Sequence, residues 1–344
     1  MKKMISVILT AIFVLSMFAG CASAKKDGYR IAIVQQMDHA SLDEIRLAIE
    51  AELDAKAKAL GVAIEYKEFN GQNDATALNQ IGAQIVDDNY DAIIPIATLA
   101  AQCMVTAADG RDIPVIYAAI SDPETAGLTG YDKVTGTSDA LNTAFILDMM
   151  LAVNPDIQTV GLLYSNSEAN SATPIAQAKA YLDSKNIAYL EKTGNTADEV
   201  LSAASALVGR VDAVFTPTDN VIMGAEAAVA EILNEAGIPH YTGADSFVAA
   251  GAFTTCGVNY TELGAYTADM AVEILQTGKV PGYHVMDGGI IAVNTETASR
   301  LNLDYSVFST MANTVKEMTT EEKFHANCRG KIIPPAACCK IRNR

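Results

Sequence analysis

From Tyr29 onward, short apolar runs rich in β-branched residues alternate with longer stretches whose apolar positions recur every three or four residues. The short runs predict strands and the periodic stretches predict helices. In chain order the pattern predicts a strand over Tyr29 to Gln35, a helix over Leu42 to Leu60, a strand over Val62 to Phe69 and a helix over Ala75 to Asp88. A strand over Ala92 to Ala97, a helix from Leu99 to Ala108 and a strand over Pro114 to Ile120 follow. After a polar crossing near Asp132 to Gly136 the alternation restarts, with a helix over Leu141 to Ala152, a strand over Thr159 to Tyr164 and a helix over Ala172 to Lys185. Ile187 to Lys192, Ala213 to Thr216 and His240 to Gly243 then read as strands, and Ala197 to Val208 and Val221 to Ala236 as helices. Alternation at this spacing predicts α/β architecture, with parallel sheets covered by helices on both faces. The restart halfway predicts two such domains, and no solenoid-type repeat or low-complexity segment interrupts them.

The polar residues gather where the strands end. In open α/β sheets ligands bind outside the carboxyl ends of the strands. There the sequence places Gln36 and His39, then Thr98 and Gln102, then Ser121 and Asp122, then Thr137, Ser138 and Asp139. In the second half it places Ser165, Glu168, Asn170 and Ser171, then Asp219 and Asn220, then Asp245. Each cluster has a bland reading, because Ser, Thr, Asp and Asn before a helix are commonly plain N-caps. Their recurrence at corresponding ends of two sheets argues for a binding site as well.

Composition narrows the ligand. None of these loops contains Lys or Arg, which a phosphate-rich ligand needs. Acids are plentiful, and a buried acid needs a partner, which a ligand ammonium can be. The expected ligand is therefore zwitterionic, cationic or neutral, with a lone carboxylate held by helix N-terminal N–H groups near Thr98 or Ser138. Apolar contact is available from Met37, Tyr117, Tyr164, Phe215 or Tyr260, for each of which ordinary core is the stronger reading. The formal net charge of -17 argues against a nucleic-acid partner. Phosphate-loop, dinucleotide, zincin and nucleophile-elbow motifs are all missing from the sequence. His39 lies at a strand end with no identifiable nucleophile, and His240 reads as structural. No catalytic residue, cofactor or metal is assigned, and the chain is not expected to be an enzyme.

The N-terminus carries a different signal. Lys2 and Lys3 precede an almost continuous apolar run from Met4 to Phe18, too short to span a bilayer comfortably. Residues 1–20 therefore read as a secretory signal. Phe18-Ala19-Gly20-Cys21 resembles the bacterial lipobox, in which the chain is cut before the cysteine and its thiol is diacylated. Two acyl chains give stable anchoring, so Cys21 is the expected lipid tether and residues 21–28 a polar leash. The expected location is outside the cytoplasm, on the outer face of the bacterial cytoplasmic membrane or in the periplasm. Cys103 and Cys256 sit among apolar residues and read as buried thiols. The basic stretch from Lys323 to Arg344, with His325, Cys328, Cys338 and Cys339, matches no common zinc spacing and reads as a frayed extension.

Taken in order, several of these motifs resemble one family. Ile33-Val34-Gln35-Gln36 through His39-Ala40-Ser41-Leu42-Asp43, Ala97-Thr98-Leu99-Ala100-Ala101-Gln102, Ser121-Asp122-Pro123 and Thr135-Gly136-Thr137-Ser138-Asp139 are similar to ABC transporter substrate-binding lipoproteins related to the tryptophan-binding protein. So are Leu163-Tyr164 with Glu168-Ala169-Asn170-Ser171, Thr216-Pro217-Thr218-Asp219-Asn220, Gly243-Ala244-Asp245-Ser246 and Gly257-Val258-Asn259-Tyr260. The likeness runs from about Tyr29 to Leu303, with Ala40 where the family has proline. It implies a type I periplasmic-binding fold of two Rossmann-like doubly wound lobes joined by a three-crossing hinge. On this pattern residues 29–136 and 259–282 form the first lobe, 137–258 and 283–304 the second, and 305–344 an extension. A helix from Tyr260 to about Gln276 returns to the first lobe, and the chain re-enters the second near Ile290 to Asn294. The resemblance further implies a monomer that binds a small ligand, an aromatic amino acid, between the lobes and hands it to the permease of an ABC importer. Thr98, Gln102, Ser138 and Asn170 are then expected near the ligand's carboxylate or backbone, and Asp219 or Asp245 at its ammonium. A nucleoside or other neutral ligand is the alternative within that class. An enzyme or sensor-accessory protein on the same scaffold is the alternative outside it.

Overall fold

The computed structural model describes residues 28–320. The signal sequence, Cys21 and the Cys-rich tail lie outside these residues. Within them the chain divides into two compact units.

The first unit holds residues up to Ala140, the segment Glu168–Thr173, and Val258–Asp287. Its six-stranded sheet has the order β11-β5-β4-β3-β1-β2. These strands are β1 (Gly28–Gln35), β2 (Ala63–Asn70), β3 (Ala92–Ile96), β4 (Val115–Tyr117), β5 (Val134–Ser138) and β11 (His284–Val285), and every pairing is parallel. All five residues of β3 are buried, as expected of an inner parallel strand covered on both faces. β2 is the outer strand, and its charged Glu65, Lys67 and Glu68 suit an edge that must not pair further. The helices are α1 (Ala40–Leu60), α2 (Ala75–Asp87), α3 (Thr98–Ala108) and, returning late in the sequence, α9 (Tyr260–Thr277). α9 packs closely along α1. A Cβ on Gly264 would meet Ile45 O at 2.6 Å and Ala48 Cβ at 2.7 Å, so only glycine permits this approach.

The second unit holds Leu141–Ser167, Pro174–Gly257 and the residues from Gly288 on. Its seven-stranded sheet has the order β13-β12-β10-β9-β8-β6-β7. β6 (Thr159–Tyr164), β7 (Ala188–Thr193), β8 (Ala213–Thr216), β9 (His240–Thr242) and β10 (Thr254–Gly257) run parallel, and β12 (Ile290–Asn294) pairs antiparallel with β10. α4 (Thr143–Val153), α5 (Ala169–Lys185), α6 (Ala197–Ser205), α7 (Asn220–Glu235), α8 (Asp245–Ala249), α10 (Thr295–Arg300) and α11 (Phe308–Met311) complete the helices in chain order. The first turn of α5 belongs to the first unit. Side-chain caps start most of the longer helices: Asn142 accepts from Phe145 N, Thr196 from Glu199 N and Asp219 from Ile222 N.

Four expectations need correction. The polar crossing near Asp132 to Gly136 is instead β5, a strand with Thr135, Thr137 and Ser138 fully buried between β4 and β11. Gly136 permits it, because a Cβ there would fall 2.0 Å from Tyr117 O. Thr137, Ser138 and Asp139 thus belong to the first unit, as does the segment carrying Glu168, Asn170 and Ser171. Residues 283–287 also join the first unit, through β11 pairing with β5. Finally, residues 305–320 are not an extension. Phe308 is fully buried in the core of the second unit, and β13 (Thr314–Met318) pairs in parallel with β12.

Among the described residues, no helix is long and apolar enough to cross a membrane. Cys103 and Cys256 are buried free thiols, as the sequence suggested.

Candidate functional site

In the first unit β1, β3, β4 and β5 end side by side, and the polar clusters that follow them converge. Two residues there hold backbone angles that side chains rarely adopt. Ala97, after β3, has φ 74 and ψ 164, and Ala119, after β4, has φ 58. The Ala97 conformation is essentially glycine-only and costs on the order of 1–3 kcal/mol. It is held by Ala97 N donating to Ala118 O and by Ala101 N donating to Ala97 O. The result is an α3 N-terminus whose capping residue lends it no side chain. Its first turn presents buried Thr98, and Leu99 N donates to Gln36 Oε1 at 3.0 Å. Free N–H groups at such a terminus favour an anion.

Gln36 proves to be a structural hub. Fully buried, it donates from Nε2 to Asn73 Oδ1 and to Glu168 Oε1, each at 2.9 Å, while its oxygen caps α3. Its carboxamide is therefore committed to the protein. Asn73 was invisible to sequence reasoning; only its positive φ of 56, in a turn after β2, marks it. Gln102 is likewise engaged, donating to Ala126 O at 3.0 Å. His39 occupies the N-cap position of α1 with extended backbone and makes no side-chain cap.

Asp139 follows β5 and is 5% exposed. Ser121 Oγ donates to its Oδ1 and Tyr260 Oη to its Oδ2, each at 3.0 Å. Burial pushes its carboxyl above the usual carboxylate range, against the pull of these two hydroxyls. Tyr260, read from sequence as ordinary core or else an apolar contact, thus contributes its hydroxyl. Asp122 behaves oppositely. Burial raises it, but the Thr125 amide and the hydroxyls of Thr173 and Thr125 outweigh that and hold it below its ordinary value. Ser138 and Thr137 are buried in β5, where Thr137 shares a hydroxyl contact of 2.8 Å with Thr267 of α9. Asn170 and Ser171 are buried in the segment that belongs to this unit.

In the second unit the two acids expected at a ligand ammonium serve the protein itself. Asp219 is fully buried and accepts from Ser165 N at 2.7 Å and from Ile222 N at 3.0 Å, so it ties the end of β6 to the start of α7. Asp245 accepts from Lys316 Nζ at 3.2 Å, a cation supplied by β13 rather than by the loop. Ser165 Oγ contacts Ser167 and Asn195, and Asn220 is buried in the first turn of α7. Tyr117 and Phe215 are fully buried core residues, and Tyr164 donates from its hydroxyl to Glu191. Behind these strand ends lies a group that sequence reasoning found only in part. His240 Nδ1 sits 3.0 Å from Glu226 Oε1, its Nε2 sits 2.8 Å from Thr216 Oγ1, and all three side chains are buried. Among the described residues no cluster of His, Cys, Asp and Glu suited to a metal ion occurs.

The chain matches the family model described as ABC transporter substrate binding protein over residues 30–314. A tyrosine-binding protein of Clostridioides difficile (strain R20291) is 31% identical over 323 residues, covering 88% of this chain and 93% of that one. Among solved structures, an ABC domain in complex with L-Trp from Streptococcus pneumonia superposes with a TM-score of 0.77 at 28% identity, over 84% of this chain and 99% of that one. A conserved domain protein from Vibrio cholerae gives a TM-score of 0.78 at 26% identity, over 85% of this chain and all of that one (100%).

Proposed function

Because the chain belongs to the family of ABC transporter substrate binding proteins, we propose that it captures a free aromatic amino acid outside the cytoplasm and delivers it to the permease of an ABC importer. The observation that carries the choice of ligand is the chemistry at the strand ends of the first unit. An α3 N-terminus whose own capping residue lends it no side chain, and where Gln36 takes only Leu99 N, offers its other first-turn N–H groups to a carboxylate, and a buried carboxyl at Asp139 suits an ammonium. Charges of both signs on one small molecule fit that arrangement. The aromatic part rests on likeness: one relative is named for tyrosine, and one similar structure holds L-Trp. A nucleoside would need free carboxamides to read its base, and Gln36 and Gln102 spend theirs within the protein. In the same reading Cys21 carries the lipid that tethers a monomeric chain to the membrane.

A thermal-shift screen against the amino acids and common nucleosides tests this. A ligand that binds only the folded state adds about 2.7 kcal/mol of stability at a hundredfold excess over its Kd. A raised Tm with tyrosine, tryptophan or phenylalanine is expected. A shift with nucleosides alone would replace the reading with the neutral-ligand one.

A further inference from the structure

We propose that Asp139 is the group that receives the ligand's ammonium, an assignment that rests on the amino-acid reading above. It follows from asking what each acid at the strand ends already touches. Asp219 is met by two backbone amides, Asp245 by Lys316, and Asp122 by an amide and two hydroxyls. Glu168 accepts from Gln36 at 2.9 Å and has other partners. Asp139 is different in kind. It is 5% exposed, and the groups facing it are the hydroxyls of Ser121, from the loop after β4, and Tyr260, from α9. Among the described residues no nearby cation acts on it; the influences are burial, those two hydroxyls and a backbone amide.

Hydroxyl donors satisfy geometry but do not cancel charge. A carboxylate offers about four lone-pair sites, and the two side-chain hydroxyls use two of them. A buried carboxylate without a cation is costly, more so in a chain of net charge -17. It must hold a proton or find a positive partner. An ammonium brings three donors and the missing charge, and it can replace the proton. Ser121 also draws the Asp139 carboxyl toward the end of β4, the neighbour of β3, whose end leads into α3, where Gln36 takes one first-turn N–H group. The two ends of a zwitterion are thereby offered opposite partners within one unit.

The test is calorimetric titration of the wild-type protein and Asp139→Asn with L-tyrosine, L-tryptophan and their deaminated counterparts, 3-(4-hydroxyphenyl)propanoate and indole-3-propanoate. The wild-type protein is expected to prefer each amino acid, and that preference should shrink about 10- to 100-fold in Asp139→Asn, the range of a charge-assisted hydrogen bond. A second variant, Asp139→Ser, keeps a small polar side chain without the carboxylate and should lose the same preference. A preference unchanged within threefold in either folded variant overturns the assignment while leaving the amino-acid reading intact. Failure of the wild-type protein to bind either amino acid overturns both.

Discussion

Replacing His240 with Leu is a direct probe of how the second unit holds its core. Glu226 is 1% exposed, its Oε2 has no hydrogen-bond partner among the described residues, and its Oε1 has His240 at 3.0 Å. His240→Leu leaves the buried carboxyl with neither oxygen bonded to the imidazole and frees the Thr216 hydroxyl as well. Breaking a buried pair in this way costs about 3–5 kcal/mol. The pH dependence has a definite sign. Burial already raises the Glu226 carboxyl above 4.5, and His240 opposes that rise. Without His240 the folded state holds its proton still more tightly than the unfolded chain does. The stability linked to that proton is fully present below the unfolded value and is lost as pH rises through the folded one. The slope approaches about 1.4 kcal/mol per pH unit. The penalty of His240→Leu should therefore be larger at pH 8 than at pH 5. His240→Leu combined with Glu226→Leu removes the stranded carboxyl and should recover most of the loss, because apolar replacement of a buried pair is often neutral or better. Urea unfolding followed by far-UV circular dichroism measures both, with tyrosine emission as a second probe in a chain that has 13 tyrosines and no tryptophan. A single variant that loses under about 1 kcal/mol at pH 8, or a double variant no more stable than the single, would refute this account of the group.

Other positions make independent predictions. Gly264→Ala drives a Cβ to 2.6 Å from Ile45 O and should cost about 1–3 kcal/mol by forcing α9 off α1, read as a lowered urea midpoint. Phe308→Ala should cost about 3–5 kcal/mol; a loss below about 1 kcal/mol would place residues 305–320 outside the cooperative fold. Ala97→Gly relieves the strained backbone before α3 and should raise stability by about 1 kcal/mol or more, unless the strain is absent. Cys21→Ser should shift the protein from the membrane to the soluble fraction; retention without acylation would sink the lipid-anchor reading.

Much of the architecture was legible because parallel strands buried on both faces carry near-continuous apolar runs. β6 and β8 were read to their observed ends, and β1, β3, α1 and α3 to within a residue or two. The family was legible too, from short motifs in a fixed order. β5 was not, since Val134-Thr-Gly-Thr-Ser138 has the composition of a loop and becomes a strand because β4 and β11 lie on either side of it. β13 was missed for a similar reason: Thr314–Met318 looks like an exposed polar stretch and is held by its parallel pairing with β12.

For the site, the sequence by itself determined which residue types stand at the strand ends, since that follows from local alternation and from capping chemistry. It could not determine what each side chain touches. Asp219 reaches the amide of Ser165, 54 residues away, and Asp245 reaches Lys316, 71 residues away. Those contacts exist because β6 lies beside β8 and β13 beside β12, and strand order is settled by packing the whole sheet. The tertiary structure thereby decided which acids are already neutralised or capped and, among the described residues, left Asp139 with the side-chain hydroxyls of Ser121 and Tyr260. A carboxyl's availability for a ligand depends on charges and donors within a few ångströms, and in a folded sheet those come from distant parts of the chain.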